Sequence, residues 1–199
     1  MLAGATPASA VDGKNETRYL IFGDIPLNAD GSVDRAVLEH TASEQDATVA
    51  AILGGSETDP TAAQAMVAVV EDDASINATS SAYGVQRTWQ DNRAAWRALR
   101  LGTSSWGWTH AKRHNVSVAI IIKTTQFPRS RVTSGTQTVY LTPAREFVCS
   151  LFGCWVTQSM DVRLVHDNRI LGDKWPKGVI TTYCIGPSVC PPWVVASAA

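Results

Sequence analysis

The side chains of this chain whose types and spacing could do chemistry are four histidines, four cysteines and a set of tryptophans beside arginines. His166, followed by Asp167 and Asn168, closes a stretch that alternates as a strand does, and strand ends commonly carry catalytic groups. With Ser150 or a free cysteine it would make the nucleophile–base pair of a hydrolase. Against that, the Gly-x-Ser-x-Gly elbow is absent, and an Asx turn closing a hairpin accounts for the same three residues. His110 and His114 have the i, i+4 spacing of two zinc ligands on a helix. Lys112-Arg113 between them, with glycine and asparagine on either side, instead places them in an exposed loop, and no glutamate follows as a general base. Neither the Gly-x-Gly-x-x-Gly nor the Walker pattern occurs, so the sequence assigns no catalytic residue, no metal and no cofactor.

Cys149, Cys154, Cys184 and Cys190 are even in number and confined to the last third of the chain. In an extracellular protein they make two disulfides, with three pairings open. Their Cys-x4-Cys and Cys-x5-Cys spacings are looser than the turns of structural zinc sites. Asn15, Asn77 and Asn115 each begin a glycosylation acceptor triplet, and Ala8-Ser9-Ala10 has the small-x-small form of a signal-peptidase site. Together these predict a secreted, disulfide-bonded glycoprotein. No apolar run approaches the ~20 residues of a membrane-spanning helix, so the chain is not integral to a membrane.

The formal charge of −1 conceals an asymmetry, because residues 1–86 carry −10 and residues 87–199 carry +9. Such a split points to an acidic segment beside a basic one and to an anionic partner for the basic face, either a membrane or an acidic macromolecule. Lys112-Arg113 lies just after the split and before every cysteine, in the form that kexin-type proteases cut. The expected organisation is a flexible tail over 1–16, an acidic α/β segment over 17–113 that could serve as a pro-region, and a basic disulfide-bearing α+β unit over 114–199.

Several elements would position these groups. Arg18 to Ile25 reads as a buried strand closed by Pro26, and Ser32 as the cap of a helix from Val33 to about Leu53. That helix would bury Val37, Leu38, Thr41, Val49, Ile52 and Leu53 and end at Gly54-Gly55. Residues 60–70 are helix or strand, and Glu71 to Ser81 is a loop. From about Gly84 to Leu101 the spacing predicts a second helix, with Trp89 and Trp96 on one stripe and Arg93, Arg97 and Arg100 on an adjoining basic one. Those five residues would suit the headgroup depth of an anionic membrane, or could stack on nucleic acid, for which no specific motif is present. Further on, Val116–Thr125 and Thr136–Leu141 read as strands, Thr142-Pro143 as the start of a third helix ending at Gly153, and Trp155–Val165 and Val179–Ile185 as two more strands. The order predicts an α+β sandwich, an antiparallel sheet with helices packed on one face.

One stretch resembles a known family. Tyr19-Leu20-Ile21-Phe22-Gly23-Asp24-Ile25, a helix, and Ile52-Leu53-Gly54-Gly55-Ser56-Glu57 are similar to the opening βαβ of calcineurin-type metallophosphoesterases. Asp24 matches, but Pro26 stands where that family has a histidine ligand and Gly55 where it has an aspartate, so the resemblance implies no metal chemistry here. The layout of acidic leader, Lys-Arg and disulfide-bearing unit resembles that of fungal killer toxins and effectors in organisation alone. The sequence reading is a secreted, non-enzymatic binding protein of toxin or effector type acting through a basic Trp/Arg surface. A secreted hydrolase with a site near His166 and a structural or coat-type assembly protein are the alternatives, and the oligomeric state is not encoded in any recognisable pattern.

Overall fold

The computed structural model describes residues 16–54 and 82–195. Its frame is one long hairpin. Strand β1 (Thr17–Phe22), β2 (Ser32–Val33) and helix α1 (Arg35–Gly54) come first, followed by β3 (Val85–Gln90), β4 (Trp96–Arg100) and the short helix α2 (Trp108–Ala111). A 3-10 turn (Lys112–His114), helix α3 (Val118–Gln126), β5 (Ser130–Ser134), β6 (Gln137–Ser150), β7 (Gly153–Ile170), β8 (Pro176–Cys184) and a helical turn at Pro192–Val195 complete the chain.

β6 and β7 pair antiparallel from Gln137↔Asp167 to Ser150↔Gly153. Two short strands lie end to end along each outer side: β5 and β1 on β6, and β8 and β2 on β7. Six strands thus form a sheet four rows wide, and β3–β4 form a second, two-stranded sheet. The protein is α+β with an antiparallel sheet, mostly β, as the element pattern predicts.

β1 alternates as a strand buried on both faces must. Leu20 and Phe22 join one apolar cluster with Ile120, Ile121, Ile122 and Val162, while Tyr19 and Ile21 join another with Leu38, Ala42 and Phe147. Because β1 belongs to the sheet through β6, the expected segments 17–113 and 114–199 share one sheet and one interior. Helix α1 runs beside β1, and Gln45 donates to the Phe22 carbonyl (2.6 Å) and accepts from the Phe22 N–H (3.1 Å). This side-chain amide satisfies backbone groups that would otherwise be buried unpaired. The helix begins two residues later than the Ser32 cap predicts, with Asp34 Oδ1 accepting from Ala36 N–H (3.3 Å) and Ser32 in β2. Its buried residues are Leu38, Ala42, Gln45 and Val49, whereas Val37 and Leu53 are exposed. The stretches 60–70 and 71–81, and the ends 1–15 and 196–199, lie outside the described residues.

Three expectations are overturned. Residues 84–101 are the β3–β4 hairpin rather than a helix, because Asp91 Oδ1 accepts the N–H groups of Arg93 (2.9 Å) and Ala95 (3.0 Å) and Ala94 turns through φ 56°. Residues 118–126 are a helix rather than a strand. Ser117 Oγ accepts from Ile120 N–H (3.2 Å) as its cap, and the Thr124 and Thr125 hydroxyls return to the carbonyls of Ile120 and Ile122. Ala119 to Thr125 are buried without interruption, so this helix is enclosed on every side, where tertiary packing outweighs the strand preference of three successive isoleucines. Finally, Thr142-Pro143 opens no helix but sits inside β6. Pro143 falls in the gap between β5, which ends its pairing at Leu141, and β1, which begins at Ala144, so its missing N–H interrupts no ladder bond there.

Candidate functional site

The β3–β4 turn carries Asp91, and Asp91 organises the interior at one end of the sheet. Its Oδ2 accepts from Arg97 Nε (2.9 Å) and Nη2 (2.8 Å), from Arg131 Nε (3.0 Å) and from the Tyr140 hydroxyl (2.5 Å). Burial alone would raise this carboxyl, but the hydrogen bonds of Tyr140 and Arg97 outweigh it and hold Asp91 well below the usual carboxylate range. Burial and the bond to Asp91 push the Tyr140 phenol up to about 12. Arg97 passes the network on, donating through Nη1 to Asn168 Oδ1 (2.8 Å).

His166 lies inside this network, fully buried. Asn168 Oδ1 is 3.0 Å from its Nδ1 and can only accept, so Nδ1 carries the hydrogen, and Nε2 accepts the Ala98 N–H (3.4 Å). Burial, reinforced by the Arg97 charge, pulls the ring down to about 3, so it is neutral. Both nitrogens are occupied by groups of the fold. Ser150 lies at the other end of β6, twelve residues beyond the His166 partner Thr138 and therefore about 40 Å away. All four cysteines are in disulfides. Among the described residues, neither of the nucleophiles the sequence offers, Ser150 or a free cysteine, lies beside His166, and the ring is buried. An Asx hydrogen bond is present, Asp167 Oδ1 accepting the Arg169 N–H (3.0 Å), but it lies in a bulge of β7 and closes no hairpin; Arg169 holds Asp167 below the carboxylate range against the opposing effect of burial.

The five Trp/Arg residues separate into two groups. Trp89 is buried and donates from Nε1 to Thr125 Oγ1 (2.8 Å). Arg97 and Arg100 are buried as well, Arg100 gripping both oxygens of Asp173 (2.7 and 2.9 Å) and the carbonyls of Pro176, Trp175 and Tyr83. Arg93 and Trp96 stay outside. The basic stripe of the expected helix is therefore absent as a surface, because in a hairpin Arg97 and Arg100 turn inward. Instead, Arg97 ties the hairpin turn to β7, and Arg100 ties β4 to the β7–β8 turn. At Gly178, φ is +99° and a side chain would stand 2.3 Å from the Ala98 carbonyl, so only glycine lets β8 approach β4 so closely.

This fastening creates a different surface. The part-exposed ring of Trp96 meets Trp175 edge-on with centroids 5.1 Å apart; Arg93 is exposed on the β3–β4 turn, Lys174 on the β7–β8 turn and Arg169 near the end of β7. On the neighbouring segment Lys177 Nζ stands 5.2 Å over Trp106, which tilts against Tyr83 at 5.2 Å. Arg93 and Lys174 pair with no carboxylate among the described residues. The sequence does not join Lys174 and Trp175 to Trp96, because their turn, Leu171-Gly172-Asp173-Lys174-Trp175, lies far from residue 96 in the chain, and Arg169, near the end of β7, is not singled out at all. The Gly-Asp pair is the turn's only local signal.

At the opposite end, Cys149 and Cys154 face each other across β6–β7 and are disulfide-bonded, leaving Leu151 and Phe152 at the tip 89% and 90% exposed. Cys184 and Cys190 form the second disulfide. Lys112 and Arg113 are exposed on the 3-10 turn. Asn115 follows in the left-handed conformation, its amide donating to the Cys190 carbonyl (2.8 Å), while Asn15 and Asn77 lie outside the described residues. His110 and His114 are not loop residues but sit on α2 and the 3-10 turn, half-buried and side by side. Among the described residues no group of three or more His, Cys, Asp or Glu gathers as metal ligands, and no helix is long and apolar enough to cross a membrane. No protein-family profile, curated protein or solved structure matches this chain.

Proposed function

We propose that this chain is a secreted, non-enzymatic binding protein of toxin or effector type, whose contact surface is the aromatic–basic end built on Trp96 and Trp175. The observation that carries this reading is the edge-to-face Trp pair, with Trp96 part-exposed, on two turns that also expose Arg93 and Lys174. Tryptophan combines an apolar body with a polar N–H, and cations beside it supply attraction to an anionic headgroup layer. The buried ions support the same reading, since Arg97 holds the β3–β4 turn through Asp91 and Arg100 holds the β7–β8 turn through Asp173. The target is an anionic membrane surface. Two disulfides are compatible with an extracellular setting, where such bonds persist.

Flotation with phosphatidylserine-containing vesicles is the test. Binding is expected at low salt and should weaken as salt screens it. Arg93→Ala and Lys174→Ala should each reduce it roughly fivefold, from about 1 kcal/mol per cation near the surface. Absence of binding at low salt would remove this reading, and salt-sensitive binding to a soluble polyanion with none to vesicles would replace the membrane with an acidic macromolecule.

Proteolytic processing after Arg113 belongs to the same proposal, supported by the exposure of Lys112-Arg113. Neither disulfide crosses that bond, but β1 pairs with β6 across it. The two pieces should therefore migrate together in native conditions and separate in denaturant without reductant. Mass spectrometry of secreted material showing only the uncut chain would end the processing claim.

A further inference from the structure

We propose that His110 and His114 form a two-histidine site for a zinc-class divalent cation, independent of the aromatic–basic surface. Helix α2 and the 3-10 turn that continues it place the two rings one turn apart, with centroids 5.0 Å apart and planes at 84°. His110 Nδ1 lies 2.8 Å from the Ser104 carbonyl and His114 Nδ1 lies 2.9 Å from the Ser188 carbonyl. A carbonyl oxygen only accepts, so each Nδ1 carries a hydrogen. In its neutral form each ring is thereby fixed in the tautomer whose Nε2 is a lone pair. These two Nε2 atoms stand 3.4 Å from one another.

Two lone pairs at that distance repel unless a positive charge lies between them. Zinc–imidazole bonds of 2.0–2.1 Å at a tetrahedral angle put two ligand nitrogens about 3.3 Å apart, whereas a right angle would bring them to about 2.9 Å. The observed separation fits the tetrahedral ion. The carbonyls of Ser104 and Ser188 supply the outer support that ligating histidines ordinarily have, fixing ring orientation and raising basicity. An all-imidazole donor pair suits zinc and its neighbours and does not suit calcium or magnesium, which take oxygen ligands. With no third His, Cys, Asp or Glu grouped there among the described residues, the remaining coordination positions stay open to water or to a ligand donated by another molecule.

The support on the His114 side depends on the second disulfide. Cys184–Cys190 closes the loop that carries Ser188, and that loop is joined to the 3-10 turn by the Cys190 N–H to the His114 carbonyl (2.8 Å) and by Asn115 to the Cys190 carbonyl. On the His110 side the support is the Ser104 carbonyl.

The experiment is titration of the intact oxidised protein with zinc chloride, read by calorimetry and by histidine side-chain NMR. One zinc per chain is expected, with the His110 and His114 ring signals shifting together and those of His40 and His166 unmoved. His110→Ala should abolish this event while leaving the thermal unfolding profile intact, and His40→Ala should leave it unchanged. His114→Ala should also abolish it, but its tie to Ser188 makes His110→Ala the decisive variant. Zinc that fails to saturate at one per chain, binding that survives His110→Ala, or a proton shared by the two rings with no response to zinc would each overturn the assignment.

Discussion

The two ends of the long β6–β7 hairpin are held by different physics. At the end that carries residues 137 and 167, one carboxylate, Asp91, gathers Arg97, Arg131 and Tyr140 from three strands, and His166 and Asn168 extend the network. At the tip, a single covalent bridge between directly opposed cysteines closes the turn, and Leu151 and Phe152 extend into solvent. The first is non-local and requires every partner, because a buried charge that loses its counter-ion keeps its desolvation cost. The second is local and tolerant. A surface meant to stay in shape is therefore best sought over the ion network, and it is there that the Trp96–Trp175 pair lies.

The largest expected effect comes from breaking the network at its hub. Asp91→Ala should cost about 3–5 kcal/mol in urea unfolding, because the buried Arg97 and the part-buried Arg131 are left without their partner. If the loss is under about 1 kcal/mol, the interior end is not held as described.

Acid should act next, chiefly through the same end. The folded state keeps His166 neutral down to about 3, while the unfolded chain protonates near 6.5. A depressed folded value means stability that is present above about pH 6.5 and lost as pH falls toward 3, at about 1.4 kcal/mol per unit. Asp91, also depressed, adds a further loss below about pH 4. In His166→Gln the slope between pH 6.5 and pH 4 should flatten, even though the variant starts less stable. An unchanged slope would show that other groups carry the acid sensitivity.

Replacing the tip bridge is a smaller perturbation. Cys149→Ser with Cys154→Ser should reduce stability by roughly 2 kcal/mol, the loop-closure value for so short a loop, and should leave the pH profile unaltered. Smallest of all, Leu151→Ser with Phe152→Ser should shift unfolding by less than about 0.5 kcal/mol, since neither side chain is buried. A larger loss would mean that the tip packs on something.

What the sequence disclosed depended on how far each residue's partners lay along the chain. β1, α1 and the β7–β8 stretch were legible because their alternation or helical spacing is local. The disulfide count was legible for the same reason, although the pairing was not. The hairpin at 85–100 reads as a helix because its tryptophans and arginines imitate a helical face, an imitation stronger than the Asp91-Asn92 turn signal. Helix α3 was misread because Ile120-Ile121-Ile122 favours a strand until the surrounding structure encloses it. The aromatic–basic surface joins residues 93–96 to 169–175, and nothing in the periodicity of either segment announces the other. His110 and His114 were spaced correctly for ligands but were discounted for their basic neighbours, which in the folded chain point away into solvent.

Both sulfur bridges join cysteines that are nearest neighbours in the chain, separated by 5 and 6 positions. The sheet, by contrast, needs residue 17 to find residue 149. Loop closure over a few residues is fast, while strand pairing across such distances is slow and dominates the folding rate. Oxidation can therefore finish early with its native partners, because each thiol meets its own mate at the highest effective concentration. The protein's kinetic difficulty lies in its contact order rather than in disulfide shuffling, and the step exposed to aggregation is the late arrival of β1 on the edge of β6.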